Sequence, residues 1–62
     1  MNNNEKAGLY DLYVSQAGEL ERENSKLKSQ FPVNIPENVQ QKIDDNNRAI
    51  SELERKLNDL YK

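Results

Sequence analysis

The side chains with any capacity for chemistry are few: the hydroxyls of Ser15, Ser25, Ser29 and Ser51, the acid-rich run Glu19-Leu20-Glu21-Arg22-Glu23, and the adjacent Asp44 and Asp45. A serine becomes a nucleophile when a neighbouring base takes its proton, and the chain has no histidine to act as that base. It has no cysteine either, which removes thiolate nucleophiles, disulfides and thiolate metal sites together. Glu19 and Glu23 stand one helical turn apart and repel, while Arg22 and Lys26 offset them, the pattern of a solvated helix face rather than of a cation site. Asp44 and Asp45 point about 100° apart on a helix and so do not converge on one ion. Gly8 and Gly18 stand alone, without the loop that cradles a phosphate. The expectation is a protein with no catalytic, metal-binding or cofactor-binding residues, one that acts by contact.

Contact surfaces need elements to carry them, and these are organised around Phe31-Pro32-Val33-Asn34-Ile35-Pro36. Pro32 disfavours helical geometry at Phe31 and cannot donate a hydrogen bond, whereas Pro36 has a φ suited to a helix's first turn. One helix therefore ends at this hinge and another begins. The expected helices run from about residue 4 to 30 and from about 36 to 61, in a single domain spanning 1–62. Asn2 with Glu5, and Asn34 with Glu37, have capping-box spacing at the two starts. Gly8 and Gly18 each cost about 1 kcal/mol relative to alanine in a helix interior, which loosens the first helix or lets another backbone come close.

Both helices carry a heptad seam. In the first, Tyr10, Tyr13, Ala17, Leu20, Asn24, Leu27 and Phe31 alternate steps of three and four residues; in the second, Val39, Ile43, Asn46, Ile50, Leu53, Leu57 and Leu60 do the same. An antiparallel hairpin requires facing residues to have a constant index sum, and these seams meet that condition as Phe31/Val39, Leu27/Ile43, Asn24/Asn46, Leu20/Ile50, Ala17/Leu53, Tyr13/Leu57 and Tyr10/Leu60. The centre of the pairing is Ile35, inside the hinge. The fold class is accordingly all-α, a two-helix antiparallel hairpin of coiled-coil type. The lone polar residue of each seam falls opposite the other, so Asn24 and Asn46 are expected to satisfy one another and set the register. The segment Leu20–Lys28 also fits one strand of a parallel zipper, with Asn24 at the polar a position. The short hinge favours the hairpin because it holds the second seam close to the first. Acid and base in Asp44 with Arg48, Glu52 with Lys56 and Arg55 with Asp59, four residues apart, are expected to pair on the outer face.

At the open end the apolar residues exceed what the seam needs. Leu9 to Val14 is apolar at five of six positions, broken only by Asp11, and Tyr61 lies at the same end. Leu9, Tyr10, Leu12, Tyr13, Val14 and Tyr61 are therefore the expected protein-interaction surface, tyrosine being suited to it by its large apolar body and polar tip. A chain of 62 residues buries only about 60% of its unfolded surface and needs a staple, an oligomer or a partner. The expectation is a homo-oligomer, with two hairpins completing a four-helix bundle, or a complex with a larger protein.

Composition narrows the partner. Charged residues make up 32% and hydrophobic ones 34%, a balance suited to exposed helices rather than a compact globule. The net charge of −2 is shared between the two halves. Bases interleaved with acids provide no face to track phosphates, which argues against nucleic acid, although dimeric helical hairpins regulating plasmid RNA have a similar size and architecture. No apolar run is long enough to span a bilayer, and Met-Asn-Asn-Asn-Glu does not read as a signal peptide, so the expected location is the cytoplasm and no membrane is expected as partner. The function expected is that of a non-enzymatic interaction module, an adaptor or inhibitor of a larger protein. The alternatives are a small secretion-type chaperone or an antitoxin-like or virus-encoded inhibitor, a structural coiled-coil element of an assembly, and an RNA-binding hairpin regulator.

Overall fold

The computed structural model describes residues 2–62, so Met1, which the expected domain span includes, lies outside the described residues. Two helices, α1 (Asn3–Gln30) and α2 (Glu37–Leu60), pack side by side as a hairpin. The molecule is a rod of 47 × 14 × 12 Å, close to the length of its longer helix.

Each helix end has a local cause. Asn2 caps α1: its side chain accepts a hydrogen bond from the Glu5 amide at 2.8 Å, satisfying one of the donors that a helix start leaves free. At the far end the Phe31 amide bonds to the Lys28 carbonyl and the backbone leaves helical geometry ahead of Pro32. The start of α2 differs from expectation, since Pro36 is the N-cap residue rather than part of the first turn, and Asn34 makes no capping bond. The reason is geometric: Pro36 has ψ 150°, which is extended, and its carbonyl accepts from the amides of Val39 and Gln40, so the first turn forms without a side-chain cap.

The seam holds from the hinge to mid-length and then drifts. Ile43, Asn46, Ile50 and Leu53 are buried on α2, along the seam that α1 forms with Leu27, Asn24, Leu20 and Ala17. Towards the open end, Tyr10 is 46% exposed, and Lys6, Leu9 and Tyr13 occupy the half-buried positions on α1. A straight helix of 3.6 residues per turn drifts about 20° per heptad from a 3.5-residue repeat. Three heptads from the hinge this moves the facing position from Tyr10 towards Leu9.

The outer ion pairs also differ from expectation. Arg48 pairs with Asp45 at 2.6 Å, Arg55 with Glu52, and Lys62 with Asp59 at 3.3 Å, each three residues apart rather than four. Asp44, expected to hold Arg48, accepts instead from Gln40. Long basic side chains that reach back towards the helix N-terminus meet the i−3 acid as readily as the i−4 one, and such exposed pairs contribute only about 0.2–0.5 kcal/mol.

Candidate protein-interaction surface

The structure puts two polar or aromatic clusters along the hairpin, one at mid-length and one at the open end. At mid-length Asn46 Nδ2 donates to Asn24 Oδ1 and to Glu23 Oε1, both at 2.8 Å, and Asn24 Nδ2 donates to Asn47 Oδ1 at 2.9 Å. Lys42 Nζ stands 3.7 Å from the same Glu23 oxygen. The two asparagines are 6% and 4% exposed, and among the described residues no buried side-chain nitrogen or oxygen lacks a partner. Each therefore avoids the roughly 1–3 kcal/mol that an unpaired buried polar group costs. Sequence reasoning found Asn24 and Asn46 but missed Asn47 and Glu23. Their signal was adjacency, since both follow or precede a seam asparagine and lie at the margin of the interface.

The open end is built differently. Tyr10 and Tyr61 meet edge to face with ring centroids 6.3 Å apart, and Lys6 Nζ lies 5.8 Å from the Tyr61 ring. On the other side of the seam Lys56 Nζ lies 5.7 Å from the Tyr13 ring. Edge-to-face pairs add about 0.5–1.5 kcal/mol and exposed cation–π contacts about 0.5–1 kcal/mol, which helps to hold the ends of the two helices together. The cost is exposure: Tyr10, Leu12, Val14 and Tyr61 are 46%, 49%, 45% and 59% exposed. Leu9 and Tyr13 are half-buried, because they face α2.

The six residues expected to form one surface do not share one face. Leu12 and Val14 are two apart on α1, which separates them by about 200° around the axis. Tyr10 and Val14 lie one turn apart and therefore on one flank, and the contact of Tyr10 with Tyr61 brings α2 to the same flank. Leu12 lies on the other flank, in line with Gln16, Glu19 and Glu23. There the helices leave an open groove with an apolar floor of Leu20, Ala49 and Leu53 and charged walls that include Glu19, Glu52 and Lys56.

Of the remaining groups named as chemically capable, Ser29 and Asp45 are engaged with close neighbours. Ser29 Oγ donates to the Ser25 carbonyl at 2.9 Å, as polar residues do near a helix end. Asp45 accepts from Gln41 and from Arg48. No cluster of three or more His, Cys, Asp or Glu able to hold a metal ion is found among the described residues. No helix among them is long and apolar enough to cross a membrane. The chain matches no protein-family model, no curated protein and no solved structure.

Proposed function

We propose that this hairpin is a non-enzymatic protein–protein interaction module that associates with itself and binds a larger protein as an adaptor or inhibitor in the cytoplasm. The observation that carries the reading is the exposure of Tyr10, Leu12, Val14 and Tyr61 at one end of the rod, around a half-buried Leu9 and Tyr13. Scattered exposed apolar residues need no explanation, but four large ones within about three turns of the open end, divided between its two flanks, leave apolar area that water solvates poorly. A core whose buried apolar residues are Ile43, Ile50 and Leu53 supports the same reading, since so few cannot hold a chain of this length firmly on their own. Asn24 and Asn46 serve to set the register that brings this surface together, at some expense in stability. Binding of this kind acts by occlusion or bridging and needs no chemistry.

The test replaces Leu12 and Tyr61 together by glutamate, one from each flank. Both are exposed and outside the buried core, so the helices persist although the contact of Tyr61 with Tyr10 is given up, while oligomer formation and retention of a protein partner are lost. Unchanged oligomeric state and unchanged partner retention would refute the surface. Salt-sensitive retention on RNA by the unaltered chain would favour the RNA-regulator alternative, because phosphate contacts release counterions and such binding falls steeply with salt.

A further inference from the structure

Tyr10 and Tyr61 meet at the open end only while the two helices hold their register, and that register is held at mid-length by hydrogen bonds that have a direction. A side-chain amide has an oxygen that accepts and a nitrogen that donates two hydrogens, so one asparagine facing another fits in either of two orientations. An ionised carboxylate accepts only. Among Asn24, Asn46, Asn47 and Glu23, Glu23 alone has that property, and it stands at the edge of the two buried amides.

The consequence runs through the layer one bond at a time. Because Glu23 Oε1 only accepts, it draws the nitrogen of Asn46 towards α1, at 2.8 Å. The second hydrogen of that nitrogen then needs another acceptor on α1, and Asn24 presents its oxygen, also at 2.8 Å. With its oxygen so placed, Asn24 turns its nitrogen away from Asn46, where Asn47 Oδ1 accepts from it at 2.9 Å. Asn24 and Asn46 are buried, so water does little to offset a reversed orientation. A bond to an ionised acceptor is roughly twice as strong as a neutral one, whereas the exposed Lys42, 3.7 Å from the same oxygen, adds little. The arrangement also belongs to one register. Sliding α2 by one heptad replaces Lys42 and Asn46 beside Glu23 with Ala49 and Leu53, or with Ile35 and Val39, none of which has a side-chain donor. The same slide carries Tyr61 about 10 Å along the rod, away from Tyr10.

We propose that Glu23 is a positioning residue: its carboxylate orients the Asn46 amide, and through it sets the direction of the bonds by which Asn24 and Asn46 hold the register. This role is independent of what binds at the open end, since it concerns the hairpin itself whether the partner is a second copy or a larger protein. It gives an exposed acid, one that Glu19, Arg22 and Lys26 mark in the sequence as part of a solvated face, a task inside the fold.

Alanine is the better helix former, so Glu23→Ala favours α1 by propensity and any loss of stability comes from the contacts removed. In urea titrations followed by circular dichroism at one chain concentration, this variant is expected to lower the folding equilibrium constant about three- to tenfold, as the loss of a charge-assisted hydrogen bond at a partly exposed site does. Glu23→Gln, which keeps an oxygen at the same reach, should stay within about twofold of wild type. With Asn24 and Asn46 both changed to leucine no buried amide is left to orient, and adding Glu23→Ala should then alter the constant by less than about twofold. Nuclear magnetic resonance reads the orientation itself: in Glu23→Ala the side-chain amide hydrogens of Asn46 should exchange with water about threefold or more faster than in wild type. A full effect of Glu23→Ala in the leucine background would overturn the role, since Glu23 would then act without the amides. Glu23→Gln as damaging as Glu23→Ala, or exchange at Asn46 unchanged by the loss of Glu23, would overturn it as well.

Discussion

α1 and α2 pack against each other over most of their lengths, yet they are buried very unequally. On α2, Ile43, Asn46, Ile50 and Leu53 are all buried; on α1 only Asn24 is. The difference lies in how each helix distributes its apolar residues. α2 gathers them on one stripe that faces α1, and apart from Ala49 and Ser51 its other faces are charged or amide side chains. α1 spreads them around its circumference, with Leu9 and Tyr13 inward, Tyr10 and Val14 on one flank and Leu12 on the other. A helix with one apolar stripe is satisfied by one neighbour, whereas a helix that is apolar on several sides is built for more than one. α2 thus completes the hairpin, and under the proposed reading the outward apolar residues of α1 meet a partner beyond it.

The comparison is most easily broken at the core. Ile43 is 2% exposed, and Ile43→Ala is expected to lose about 2–5 kcal/mol by lost burial and residual cavity, enough to unfold a hairpin of this size. On α1 the exposed Leu12→Ala should change the stability of the isolated hairpin by less than about 0.5 kcal/mol, as surface substitutions do. Urea titrations of both variants followed by circular dichroism check the pair, and comparable losses at the two sites would erase the asymmetry.

The polar layer gives the next largest effect. Asn46→Ala leaves the buried Asn24 Oδ1 without its donor and removes a bond from Glu23, with an expected loss of about 1–3 kcal/mol. Changing both Asn24 and Asn46 to leucine should instead raise the melting temperature, because no buried amide is left unpaired, while register becomes less strictly defined. A double variant that melts below wild type would show that the asparagines stabilise the hairpin rather than specify it.

Smaller effects sharpen the contrast on the outer surface. A β-carbon at Gly8 meets nothing within 4 Å, so Gly8→Ala should stabilise α1 by about 0.5–1 kcal/mol, visible as higher helix content. On α2, Glu52→Gln, which breaks the exposed pair with Arg55, should cost no more than about 0.5 kcal/mol in a thermal melt.

Much of this fold was legible because two heptad patterns and a proline hinge constrain one another: the pairing of Asn24 with Asn46 follows from their equal distance to Ile35. What the heptad count missed follows from treating the repeat as strictly 3.5 residues. Helical drift exchanges Leu9 for Tyr10 on the seam, and the pattern carries that information only if 3.6 residues per turn is imposed. The start of α2 lies within one residue of expectation, but its cap was not legible: Asn34 and Glu37 have capping spacing, while the conformation of Pro36 lets its backbone carbonyl close the first turn. At the candidate surface the residue types were readable and their faces were not. Leu12 and Val14 appear adjacent in a run of apolar letters, and only the helix separates them to opposite flanks.

The central claim, that the outward apolar residues of α1 belong to an interface, is tested most directly by sedimentation equilibrium of the unaltered chain over at least a tenfold concentration range, alongside circular dichroism melts of the same samples. The account predicts a helical dimer or higher closed oligomer whose melting temperature rises with concentration, as mass action requires of a fold stabilised by association. A stably helical monomer with a melting temperature independent of concentration would contradict it.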